Sequence, residues 1–222
     1  MVAKKSDIKI YVTDGIRKTV NKFREYPHIF FTEMDIHAYL YYCLYNTKLE
    51  VKTRDDIITS CLHKEYPTNF RYDKKSMTNY GLIKEGIRGH FDLVILNPEF
   101  IEEFDIKNVV NKDIRDVELR SQNKEKFRNE LLIAIELKYV INNSKSFVEE
   151  VEKDITKLSI ASKYQSFEAY NLVFCNHEYK YLNELKKTIE KPNPAIKSLL
   201  AISYYRDSKK ETPKPITNGW NI

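Results

Sequence analysis

A chain of 222 residues, 42% hydrophobic and 31% charged, can bury a sizeable core; it reads as one globular domain over residues 1–222 and excludes a disordered chain. Its 37 Lys and Arg against 32 Asp and Glu leave +5, which is compatible with a polyanionic partner but too small to demonstrate one. No apolar run has the length of a membrane span, no signal-peptide core follows Met1–Asp7, and three widely spaced cysteines (Cys43, Cys61, Cys175) give neither a disulfide framework nor a zinc site, so a cytoplasmic protein with buried thiols is expected.

In chain order, the first strong signal is Thr32-Glu33-Met34-Asp35-Ile36, which opens an apolar, aromatic run to Tyr45. Thr32 with Asp35 has nearly the form of a capping box, so a helix is expected there. His63 to Tyr72 has the aromatic content of a strand, with Pro67 favouring an edge or a bulge and Glu65 as its acid. Gly89 and Pro98 bracket a short apolar run whose one acid is Asp92, the punctuation of a strand ended on both sides. Residues 99–130 are dense in both signs of charge, and Ile106, Val109, Val110, Ile114 and Val117 stand near helical spacing, so an inserted helix is expected.

The segment Leu131 to Val140, LLIAIELKYV, is the most informative. Strand residues alternate between faces, so Glu136 and Lys138 share one face with Leu132 and Ala134, while Ile133, Ile135 and Leu137 take the other. Burying two charges costs several kcal/mol each unless they are paired, hydrogen-bonded or bound to metal, which points to a site. A structural alternative is a salt bridge between Glu136 and Lys138 at a sheet edge.

Ser146-Phe147-Val148-Glu149 has the form of a capping box opening a helix with Phe147, Val151, Ile155 and Leu158 at helical spacing. That helix carries Asp154 and Lys157, the latter read from the residues alone as a solvated lysine. A strand at Ala169 to Cys175, a helix near Tyr181 to Ile189 and a strand at Leu199 to Tyr205 follow. From Arg206, with Pro213, Pro215 and Gly219, an irregular tail is expected, with Trp220 docked on the core.

Asp92 followed by Glu136-Leu137-Lys138 in an apolar strand resembles the PD-(D/E)xK nuclease superfamily, the restriction-endonuclease-like fold. Phe91 stands where the family name has a proline, which makes no chemistry. The helix opening at Thr32 is similar to the family's first core helix, which often carries an acid near its start; this ranks Glu33 ahead of Glu65 as the extra acid. The resemblance covers about residues 30 to 175.

The resemblance implies an α/β protein with a mixed central sheet flanked by helices. It implies a deoxyribonuclease, read as an endonuclease, that hydrolyses phosphodiester bonds of DNA with Mg²⁺, for which Mn²⁺ can substitute. Asp92, Glu136 and the Leu137 carbonyl are the expected metal ligands. Lys138 is expected to orient the attacking water or stabilise phosphoryl charge. Glu33 is the further catalytic acid, Lys157 approaches a phosphate, and a homodimer is one arrangement the family allows. The alternative is a nucleic-acid-binding or interaction module that keeps the fold without turnover.

Overall fold

In the computed structural model, which describes residues 5–45, 49–72, 79–81, 87–110, 127–204 and 214–220, the chain opens with a helix that the composition of its first segment conceals. Helix α1 (Lys5–Glu25) buries Ile8, Val12, Ile16, Val20 and Phe23, spaced to line one helical face. The expected helix after Thr32 is α2 (Glu33–Leu44), with a full capping box: the Asp35 N–H donates to the Thr32 side chain, and the Asp35 carboxylate accepts from the Thr32 N–H. A small antiparallel pair, β1 (Glu50–Lys52) and β2 (Ile58–Ser60), follows.

The main sheet has seven strands in the order β4-β3-β5-β6-β7-β8-β9. They are β3 (Leu62–Tyr72), β4 (Asn79–Gly81), β5 (Ile87–Leu96), β6 (Leu131–Val140), β7 (Glu168–Asn176), β8 (Ile196–Ser203) and β9 (Ile216–Asn218). Strands β6, β7 and β8 run parallel, and all other neighbours are antiparallel, so the sheet is mixed. The parallel neighbours are joined by helices, α5 (Ser146–Ala161) between β6 and β7 and α6 (Leu182–Glu190) between β7 and β8. Such crossovers are what parallel neighbours require.

Both faces of the parallel region are covered, which is why its strands are apolar almost throughout. On one face Val140, Val173, Cys175, Leu200 and Ile202 meet Val148 and Val151 of α5 and Leu185 and Ile189 of α6. On the other, Phe23 of α1 sets its ring edge-on against Tyr139 and Phe174, at centroid distances of 5.8 and 5.1 Å, and Ile36 and Leu40 of α2 join the same core. No described helix is long and apolar enough to cross a membrane. Cys61 and Cys175 are buried and Cys43 half-buried, all three as free thiols.

Three expectations are corrected. The connection after β5 is not one inserted helix: Asn97 caps a short α3 (Pro98–Glu102), the chain turns, and α4 (Ile106–Val110) follows. Ile114 and Val117 lie outside the described residues. Ser146 does not cap α5, whose N-cap is Lys145; the Ser146 N–H instead donates to the Ser144 hydroxyl at 3.2 Å. The tail is not wholly irregular, because β9 closes the edge of the sheet on β8. Trp220 does dock on the core: its Nε1–H donates to the Ser198 carbonyl at 3.2 Å, and its ring meets Tyr170 edge-on. Pro67 sits where β3 loses register with β5, between Pro67 and Arg71, the irregularity expected of a proline inside a sheet.

Candidate active site

The site forms where two neighbouring strands part. β5 and β6 pair from Leu96 and Leu131 up to Leu93 and Ile135, and no further. Beyond that point β6 continues against β7 alone. Its freed N–H groups need other acceptors, since an unpaired buried backbone donor is costly. Carboxylates supply them: Leu137 N–H donates to Asp92 Oδ2 at 2.7 Å, and Tyr139 N–H donates to Glu33 Oε2 at 2.9 Å. Both acids are thus anchored to the backbone of Glu136-Leu137-Lys138-Tyr139, although one comes from β5 and the other from the first turn of α2.

Glu136 and Lys138 lie on the face covered by α5, yet they do not pair with each other. Glu136 is 1% exposed, and its Oε2 lies 2.6 Å from Lys157 Nζ. Lys157 also lies 3.5 Å from Asp154 Oδ1 and donates to the His90 carbonyl at 2.9 Å. Its side chain is 11% exposed, so it is an internal counter-ion and not the solvated lysine its surroundings in the sequence indicate. Lys138 Nζ stands 3.4 Å from both Glu33 Oε2 and Glu150 Oε2. The residue is held between α2 and α5, with one carboxylate from each.

Burial dominates the electrostatics. It pushes the Asp92 carboxyl up to about 6, against the Leu137 N–H and the Lys157 charge that pull it down. It likewise pushes Asp154 up to about 6 and Glu136 well above the usual carboxylate range, in both cases against Lys157. Burial works against the Lys157 charge, but Glu136 and Asp154 outweigh it and hold its pKa above the ordinary lysine value. Lys138 is raised too, with Glu33, Asp154 and Glu150 overcoming its burial.

Glu65 and Glu33 both stay near the centre. On β3, Lys64 faces Leu93 and Tyr66 faces Phe91, which sets Glu65 level with Asp92. Its φ of 49° puts it in the left-handed region, where a residue with a side chain is uncommon and costs about 1–3 kcal/mol. The Glu65 charge acts on both Asp92 and His37. Glu33 makes the direct contacts, to Lys138 and to Tyr139 N–H. His90 is exposed, and its carbonyl accepts from Lys157.

Four residues near these groups escape a reading of the strands alone. His37, one helical turn after Glu33, is buried with Nε2 3.7 Å from Asp92 Oδ2; burial holds its imidazole below its ordinary pKa. Glu150 and Asp154 stand one turn apart on α5, with Lys157 three residues on, so helical spacing from Lys157 marks the same face. Asn171 faces Glu136 in the β6–β7 register and is fully buried. Among the described residues, Glu136 Oε1, His37 Nδ1 and both amide atoms of Asn171 lack a hydrogen-bond partner.

The donors gathered here are hard oxygens, two or three carboxylates with one buried oxygen unpartnered, and they fit a small divalent cation. Among the described residues no group of three or more His, Cys, Asp or Glu side chains forms a ready cage for a metal. Mg²⁺ does not demand such a cage, since it keeps several waters and is usually held by one or two carboxylates together with substrate phosphates. No protein family, curated protein or solved structure matches the chain.

Proposed function

We propose that the protein is a metal-dependent nuclease with a restriction-endonuclease-like core that hydrolyses phosphodiester bonds of DNA. The observation that supports this most is the Asp92 carboxylate resting on the Leu137 N–H at 2.7 Å, in the middle of Glu136-Leu137-Lys138. It sets Asp92, distant in the chain, beside the strand that carries Glu136 and Lys138, at the opening between β5 and β6.

In this reading Asp92, Glu136 and the Leu137 carbonyl hold Mg²⁺, or Mn²⁺ in its place. A bound divalent ion supplies an acidified water and screens charge on the phosphate. Lys138, positioned by Glu33 and Glu150, orients the attacking water and stabilises the charge that develops on the phosphoryl oxygens. Glu33 acts through that lysine and through the Tyr139 N–H it accepts. Lys157 aims the Glu136 carboxylate and pulls against the burial that raises its pKa; a contact from this lysine to a phosphate requires it to leave Glu136.

A second reading is favoured by the same ion pair. Lys157 at 2.6 Å from Glu136 offsets the buried charge without any metal, as a protein that binds nucleic acid and does not cut it would need. One experiment separates the two. Plasmid and linear DNA are incubated with the protein in Mg²⁺, Mn²⁺ or EDTA, beside Asp92→Ala and Lys138→Ala. The nuclease reading expects cutting only with the metals, reduced at least about a hundredfold in either variant. Cutting that survives EDTA or either substitution refutes the site, and DNA binding without cutting supports the second reading.

A further inference from the structure

Helix α2 is apolar on more sides than a surface helix should be. From Ile36 to Tyr45 it carries no Asp, Glu, Lys or Arg, and a helix hydrophobic all round is normally buried. Ile36, Leu40 and Leu44 do face the core. The opposite side is open: Phe31 is 80% exposed, Met34 59%, Tyr42 75% and Tyr45 65%, with Ala38 exposed among them.

These five residues form a stripe with a centre. Counted from Ala38, they stand at −7, −4, 0, +4 and +7, with Met34, Ala38 and Tyr42 on the helix, Tyr45 at its C-cap and Phe31 just before its N-cap. The spacing is unchanged when the chain direction is reversed, so in an antiparallel pair each large side chain meets a large one across the two-fold axis, as an interface in which residue i contacts j and j contacts i requires. With the axis at Ala38, Phe31 of one copy faces Tyr45 of the other and Met34 faces Tyr42. The smallest residue lies at the crossing, where two helix backbones approach most closely.

We infer that the exposed face of α2 is a homodimer interface, in which two copies of the helix pack antiparallel about Ala38. The area agrees with that assignment. Aromatic side chains bury roughly 150–250 Å² each, so Phe31, Tyr42 and Tyr45, with Met34 and Ala38 between them, offer roughly 600 Å² per copy. That gives about 1,200 Å² in total, the lower bound for a stable interface, before Ile29 beside Phe31 is added. The inference is independent of the nuclease reading.

Sedimentation of the full chain at rising concentration tests it. The expected result is a species of twice the chain mass. Tyr42→Glu should weaken dimerisation roughly a thousandfold, because each copy loses a hot-spot tyrosine and gains a charge, while Tyr42→Phe should leave it unchanged. In a Cys43→Ser background, Ala38→Cys should cross-link the two copies under mild oxidation, and Lys153→Cys on α5 should not. The cross-link decides the matter if Tyr42→Glu fails to fold. A chain monomeric throughout, a dimer indifferent to Tyr42→Glu, or an absent Ala38 cross-link overturns the proposal. So does a monomer whose tyrosine fluorescence is quenched by a single-stranded oligonucleotide through Tyr42, which would make the stripe a platform for bases.

Discussion

Lys157 is the residue whose role the sequence least discloses. Beside Asp154 in a polar stretch of helix it looks solvated, because the partner that buries it, Glu136, comes from another element. The converse holds for Glu136 itself: strand alternation and the cost of a buried charge flag it from the sequence alone. Its pairing with Lys138, the structural alternative open to residues two apart on one strand face, does not form, because helices on both sides bring closer partners for each. Removing one member of a buried pair strands the other. Lys157→Met is therefore expected to destabilise the fold by about 3 kcal/mol, measured by urea unfolding at neutral pH, and the double variant Lys157→Met/Glu136→Gln should recover most of that loss. A double variant no more stable than the single one would show that Glu136 is not what Lys157 neutralises.

At the scale of elements, α2 serves three surfaces at once. Its first turn sends Glu33 to β6, Ile36, Leu40 and Leu44 enter the core, and Met34, Ala38 and Tyr42 face outward. The capping box fixes where this helix starts and so where Glu33 lies. Thr32→Ala should cost about 1 kcal/mol and loosen that turn, with faster hydrogen exchange at the Tyr139 amide, whose acceptor is Glu33. An unchanged Tyr139 exchange rate would separate the cap from the placement of Glu33. The cap was legible because its chemistry is local. Helix α1 was less so: its apolar residues keep helical spacing, but Lys9, Arg17, Lys18 and Lys22 between them dilute the stretch, and only the sheet it covers gives the spacing a purpose. Strand β9 is hidden for another reason. Ile216 and Thr217 suit a strand, but a run of three residues between Pro215 and Gly219 is too short to read as one, and pairing with β8 is what makes it a strand.

Across the molecule, Glu168 joins parts that nothing local would join. Placed at the start of β7, it accepts from Lys197 of β8 at 2.8 Å and lies 2.6 Å from Lys9 of α1. Burial alone would raise its pKa, but the hydrogen bonds from Lys197, Lys9 and Tyr170 prevail and bring it to about 2. A carboxylate held below its ordinary value of 4.5 stabilises the fold at higher pH and loses that contribution as pH falls from there towards about 2. Asp92 and Asp154, raised to about 6, act with the opposite sign, removing stability as pH rises from 3.8 to about 6. Urea unfolding across this range should show both limbs, and Glu168→Gln should flatten the acid limb only. Helix α1 also packs on β8, the strand it meets from the far end of the chain. Helix α1 is made well before β8, so the part of its apolar face that β8 covers stays open, with only α2 as an early partner, until the parallel strands are in place. Closing so distant a contact is slow, and it leaves a sticky surface on the nascent chain, a natural client for a chaperone at the ribosome exit.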